Sequence, residues 1–333
     1  MVKKLVLILV AILLMVAILP AAPTFAAGSG SVNGSFVVGT PPVVDSVILT
    51  PTALSPMTSS PYDVTVNVSA PDTLASVNTV VFKVWHNTGT TPTKTEFDGL
   101  TTAAADTLAI ITWTQSTGLT TISAGTPTSW TLGTCVVPTT FTGTSFAFHF
   151  LFTVGKIAMA TTTTDKWQVG AEANGSGTGF SFDLEGATMN FYGEITVPST
   201  TVSWGTLTAG TDFTDGVAQK PLGVTINYIA NGNYNKQVAS SSTWTQTTPP
   251  ATATLDPGGT VATANQFALK ANTSATLGTA TLVGATGTNI DITGTRTPEA
   301  GFNYSSMNLW IKLASSFSAA SYNGTITYSI VNR

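Results

Sequence analysis

The sequence predicts an all-β protein built as two antiparallel, immunoglobulin-like β-sandwiches behind a signal peptide. Three observations predict it. Short alternating runs rich in Val, Ile, Thr, Phe and Tyr recur past residue 27, and Gly, Pro, Asn and Asp clusters separate them. No helical period of apolar residues competes with them. The composition is also that of sheets rather than of a charged globule: 43% hydrophobic, 8% charged, with 63 Thr and 28 Ser among 333 residues. Enough apolar material is present for a real core, so disorder driven by charge is excluded.

Residues 1–27 read as a secretory signal peptide. Lys3 and Lys4 precede an apolar run from Leu5 to Leu19, and small residues around Ala26 and Ala27 supply a cleavage site. The run is shorter than the ~20 residues of a membrane-spanning helix, and Pro20 and Pro23 interrupt its continuation. The expected location is therefore secreted, extracellular or at the cell surface. Residues 28–40 form a Gly- and Ser-rich arm that carries one short apolar stretch, Phe36, Val37 and Val38. This tetrapeptide, with Ser35, is able to add a strand to a neighbouring sheet, or to pair with its own first domain.

Residues 41–196 are the first expected sandwich. Along 144–154, Phe146, Phe148, Phe150 and Phe152 fall on one face, with Ala147, His149 and Leu151 on the other. Residues 197–333 are the second, with a composition shift near Val197 and Pro198 marking the boundary. There Leu309, Ile311 and Leu313 alternate with Asn308, Trp310 and Lys312, and Tyr322, Ile326, Tyr328 and Ile330 alternate with polar residues. Asn231-Gly232-Asn233 and Asp256-Pro257-Gly258-Gly259 are turn chemistry. The passages Asp45 to Pro56, Tyr62 to Leu74 and Val80 to Trp85 resemble the immunoglobulin-like modules of prokaryotic surface proteins, of the S-layer and adhesin type. Val202 to Gly210 and Tyr322 to Tyr328 look like secreted β-sandwich fibre subunits. Neither resemblance brings a catalytic residue.

Twelve Lys and Arg against sixteen Asp and Glu give a net charge of −4, which excludes a phosphate-binding surface and hence a nucleic-acid partner. Two histidines, His86 and His149, lack an acid beside them in sequence, and no Ser sits in a G-x-S-x-G elbow, so no catalytic residue is assigned. Cys135 is the only cysteine and has no disulfide partner; a small buried thiol is the expectation. No resident cofactor is expected. Calcium is the one candidate ion, with Asp212 and Asp215 as ligands and Asp183, Glu185, Asn231, Asn233 and Asn235 as further clustered oxygens; solvated turns explain the same residues. Trp85 beside Lys83, and Trp310 beside Lys312, are candidate surface contacts for a sugar or a protein. Six sequons, at Asn33, Asn67, Asn174, Asn272, Asn303 and Asn323, are candidate glycan acceptors, with Asn67 and Asn323 the poorer two because they fall within expected strands. The combination points to a non-enzymatic structural subunit of an extracellular layer, sheath or filament, or an adhesin, self-assembling or joining other envelope proteins. The alternative is a carbohydrate-binding module that uses exposed Trp residues on a polysaccharide.

Overall fold

A computed structural model describes residues 40–89, 91–125, 130–183, 186–199, 201–216, 224–246, 251–297 and 303–333. The expected signal peptide, and Asn33, Phe36, Val37 and Val38 of the arm, lie outside the described residues. The chain is all-β, as the alternation requires. The first half contains Val43–Thr50 (β1), Ala53–Leu54 (β2), Tyr62–Ser69 (β3), Thr79–Asn87 (β4), Leu108–Thr114 (β5), Leu119–Ser123 (β6), Thr131–Leu132 (β7), Ser145–Thr153 (β8), Lys166–Asn174 (β9), Thr178–Phe182 (β10) and Thr188–Met189 (β11). The one α-helix among the described residues is Lys94–Gly99 (α1), and Thr93 caps it by accepting the Glu96 amide. Thr93-x-x-Glu96 is the capping-box spacing, a local signal for this helix within a strand-rich sequence.

Two antiparallel sheets, ordered β1-β3-β8-β7 and β10-β9-β4-β5-β6, face each other. The register sets Val64 beside Phe150 and Val66 beside Phe148. Phe148, Phe150 and Phe152 are fully buried, and Phe146 is half-buried at the end of the row. Phe82 from the opposite sheet stacks on Phe150 at 5.7 Å, and Trp113 meets Phe148 edge-on at 5.0 Å. Such pairs add to the burial energy of each ring. One side of this sandwich is closed by β1 approaching β10, where the Leu49 amide donates to the Asp183 carboxylate.

The second half contains Gly193–Thr196 (β12), Val224–Ala230 (β13), Tyr234–Ser240 (β14), Thr243–Gln246 (β15), Ala251–Leu255 (β16), Gln266–Asn272 (β17), Thr281–Leu282 (β18), Thr288–Gly294 (β19), Asn303–Leu313 (β20) and Ile326–Asn332 (β21). One sheet runs β12-β13-β20-β17-β16-β15 and the other β19-β14-β21. Its separate core holds Ile226, Tyr228, Val238, Phe267, Leu269, Met307 and Leu309. The last strand starts at Ile326, so Tyr322 precedes it. Pairing is antiparallel except for two short parallel contacts, β2 with β11 and β16 with β17.

The join between halves lies a few residues before the expected boundary. Strand β12, residues 193–196, pairs with β13 of the second half. Asn231, placed by sequence in an open turn, is completely buried. Its side-chain amide donates to Ala158 O (2.8 Å) and Asn190 O (2.9 Å), and its Oδ1 accepts from Tyr192 N (2.7 Å). Its own carbonyl accepts from the Ala160 amide at 2.9 Å and its amide donates to Tyr192 O at 3.1 Å. Lys156 with Glu194 (2.7 Å) and Arg296 with Asp106 span the same join.

Candidate functional site

Burial overturns the two tryptophan surfaces. Trp85 is 1% exposed and Trp310 0%. Parity does aim both away from the sandwich interior, but each outer face is covered. Helix α1 lies over Trp85, with the Phe97 ring edge-on at 6.1 Å. The indole N–H of Trp85 donates to Glu96 at 2.9 Å. Lys83 is buried too, its Nζ bonded to Phe97 O at 2.7 Å and sitting 4.1 Å from the Phe97 ring centre. Burial pushes this ammonium below its ordinary value, against the pull of Glu172 and Asp98. Over Trp310 the loop 211–216 does the same work. Asp215 accepts the indole N–H at 3.0 Å, and Asp212 holds Lys312 at 3.1 Å.

These contacts also correct the calcium candidates. Asp215 and Asp212 each answer a donor of the sheet beneath, the Trp310 indole and the Lys312 ammonium. Asp183 caps Leu49, and Asn231 binds the two halves together. Glu185 lies outside the described residues. Among the described residues no group of three His, Cys, Asp or Glu has the spacing of a metal site.

Both histidines acquire a carboxylate that sequence adjacency could not show. Pairing β3 with β8 brings His149 Nδ1 within 2.9 Å of Asp63 and 3.4 Å of the Thr65 hydroxyl. A hydrolytic triad needs the carboxylate and the hydroxyl on opposite ring nitrogens; here both meet Nδ1. His86 Nε2 meets Asp165 at 3.1 Å and its ring lies edge-on to Trp167. It borders a shallow groove of about 340 Å³ with Leu100, Thr101, Thr102 and Thr107, where the Thr107 hydroxyl is bonded to Asp106. Among the described residues neither pair has a Ser, Thr or Cys side chain bonded to the ring nitrogen opposite its carboxylate. Cys135 is half-buried, and burial pushes its thiol up, away from the reactive thiolate.

The sequons sort differently from the sequence expectation. Asn272 is 8% exposed and its amide nitrogen is bonded to Thr276 and Thr279, so the acceptor atom is engaged. Asn303 likewise donates to Thr295 O at 2.8 Å, and Asn67 to Ser46 at 2.8 Å. Asn174 is half-buried at the start of a tight hairpin, its Oδ1 accepting from Thr178. Asn323 is exposed and stands outside the regular strands. Exposure therefore favours Asn323, one of the two ranked lowest.

What stands out is an edge. Native sheets blunt their edges with charge, bulges, brevity or a cover. Strand β1 has a bulge at Val44/Ser46 and carries Asp45, and it covers β10. Strand β7 has two residues. In the second half, β12 carries Glu194 and has Ile330 of β21 against Gly193, β15 is bridged by Asn323, β19 pairs through two bulges and carries Asp291, and β21, itself uncharged and without a bulge against β14, has that same contact with β12. Strand β6, Leu119-Thr120-Thr121-Ile122-Ser123, has no charge, no Pro and no bulge against β5, and among the described residues no strand pairs with its far side. Gly118, with φ at +66°, supplies the left-handed turn that delivers it. Ile122 of β6 and Leu132 of β7 are half-buried against the first core. Leu119, at the start of β6, stands 63% exposed. The signal in the sequence was the run itself, uncharged and β-prone after a Thr-Gly turn.

No protein-family model matches the chain, and no curated protein is significantly similar to it.

Proposed function

We propose that the protein is a non-enzymatic structural subunit of a secreted, cell-surface assembly, a layer, sheath or filament, joined copy to copy through sheet edges. The unprotected β6 edge carries this reading. An uncharged strand whose far side no strand pairs among the described residues is a template for another strand. The exterior supports it. Lys94, Lys156, Lys236, Lys312 and Arg296 are each tied to an acid of the same chain. Outer faces then meet neighbours through hydroxyls and amides, such as Ser46, Thr65 and Asn67, with little net repulsion between copies. Sugar binding through Trp85 or Trp310 would need an exposed ring, and both rings are covered.

The test is the assembly state of the chain from Gly28 onward. Sedimentation velocity over a concentration series, with negative-stain microscopy of the same samples, is expected to give ordered polymers. A monomer at every concentration overturns the reading.

A further inference from the structure

We infer that β6 is the acceptor for the N-terminal arm of a second copy, with Ser35-Phe36-Val37-Val38 adding as a strand and Phe36 or Val38 covering the half-buried Ile122. This rests on the structural-subunit reading and names its joint.

Topology makes the contact intermolecular. The chain enters the described fold at Thr40, whose carbonyl accepts from Ser176 at 2.8 Å. Pro41 and Pro42 then run against Gly177 and Gly179. Those residues form the β9–β10 hairpin, so the described chain begins beside β10. In the five-stranded sheet β10 and β6 are the opposite edges, four strand spacings apart, which is about 19 Å at ~4.8 Å each. A strand added outside β6 lies one spacing further, at roughly 24 Å. From Thr40 back to Val38 the chain reaches at most about 7 Å. The tetrapeptide therefore cannot line its own β6, whereas a neighbour's β6 carries no such limit.

The chemistry of the two partners matches. The arm segment is apolar, β-branched and flanked by Gly34 and Gly39, so it can extend without strain. The acceptor offers an edge that no strand pairs among the described residues, with Ile122 and Leu132 half-buried against the core. Strand addition gains ladder hydrogen bonds along the edge and buries alternate side chains of the donor. Neither partner bears a charge, so the joint is indifferent to ionic strength.

The experiment compares the chain 28–333 with the chain 39–333, and adds a synthetic peptide of residues 28–40. Adjacent positions of an edge strand point their amides to opposite sides, so Thr120→Pro and Thr121→Pro are made separately in each chain. One removes a β5 ladder bond and lowers melting; the other removes a donor from the free edge and leaves melting unchanged. The expected result is that 28–333 polymerises and 39–333 melts alike but stays monomeric. The peptide binds 39–333 one to one, and the normally melting Pro variant loses peptide binding and polymerisation together. Polymers from 39–333, or from that Pro variant, overturn the joint while leaving the structural reading in place. Failure of 39–333 to fold assigns the arm to its own sandwich and also overturns it. A monomeric 28–333 removes both.

Discussion

Asn231→Ala should break the coupling between the two sandwiches. The side chain is fully buried and makes three hydrogen bonds of 2.7–2.9 Å across the join. Truncation leaves the Ala158 and Asn190 carbonyls and the Tyr192 amide without that partner. A buried polar group stripped of its bond costs about 1–3 kcal/mol. Carbonyls with a second lone pair sit at the low end, so the sum is about 3–5 kcal/mol. That is a large part of the ~5–15 kcal/mol by which domains are stable. Asn231→Asp keeps the volume and the bond from Tyr192 but turns a carboxylate oxygen toward two carbonyls. It should cost at least as much, which separates polarity from packing. Urea unfolding followed by both tryptophan fluorescence and far-ultraviolet circular dichroism gives the measurement. The native chain should show one coincident transition, and the Ala variant an earlier one in which the two probes part. A loss under about 1 kcal/mol, or a tolerated Asp, would refute the argument that this residue holds the halves together.

Other perturbations have equally definite outcomes. Phe148→Ala removes a ring packed between Trp113 and Phe150 and should cost about 3–5 kcal/mol in chemical unfolding; an unchanged midpoint would remove that face from the core. Asp215→Ala leaves the Trp310 indole N–H unanswered, and a loss of about 1–3 kcal/mol with red-shifted emission is expected; unchanged emission would mean the loop does not cover the ring. Burial pushes the Tyr228 phenol up to about 12, and burial with the neighbouring Glu194 does the same for Tyr192. The unfolded chain ionises these groups above pH ~10, so stability is intact below that and falls as pH rises toward 12, seen as falling melting temperature with late tyrosinate absorbance at alkaline pH. At the acid end, burial would raise the Asp291 carboxyl, but Thr293 and Lys236 outweigh it and hold it low. The Val261 amide chiefly lowers Asp256. Stability from both is present above pH ~4 and lost as pH falls below it; a flat melting curve there would contradict the pairing.

How much of this was legible in sequence depends on distance along the chain. The Phe146–Phe152 row was legible because period-two alternation is a local property that one strand displays alone. The turn at Asp256 was legible for the same reason: Asx chemistry acts on residues two to five positions ahead, and Asp256 indeed binds Gly258, Thr260 and Val261. Asn231 was not, since the carbonyls it binds lie at Ala158 and Asn190, and in sequence an Asn-Gly-Asn run reads as an exposed turn. The His149–Asp63 pair depends on the β3–β8 register over more than eighty residues. The β6 run is visible in sequence as an uncharged, β-prone segment after Thr117-Gly118, but its place at the edge of the sheet depends on pairings set by distant strands.

The misplaced tryptophans follow from an assumption that a strand facing away from one core must face water. Each half breaks it in the same way. A central strand carries Trp and Lys two residues apart on its outer face, Lys83 with Trp85 on β4 and Trp310 with Lys312 on β20. A separate segment then lies across them, bringing a Phe near the Lys and a carboxylate to the indole N–H: Phe97 and Glu96 in α1, Phe213 and Asp215 in the second half. The pairing has a physical logic. An outward Trp exposes a large apolar body with one donor that needs an acceptor when covered, and a Lys stem can lie under a ring while its ammonium reaches a carbonyl or acid at the rim. Covering both at once gives the outer face a second, smaller core, the Trp85–Phe97–Leu108 cluster in the first half and the Val261–Ala268–Ala314 cluster beside Phe213 in the second. Capping the outer faces of β4 and β20 removes both tryptophans from the surface, and with them the aromatic platforms a sugar would stack on.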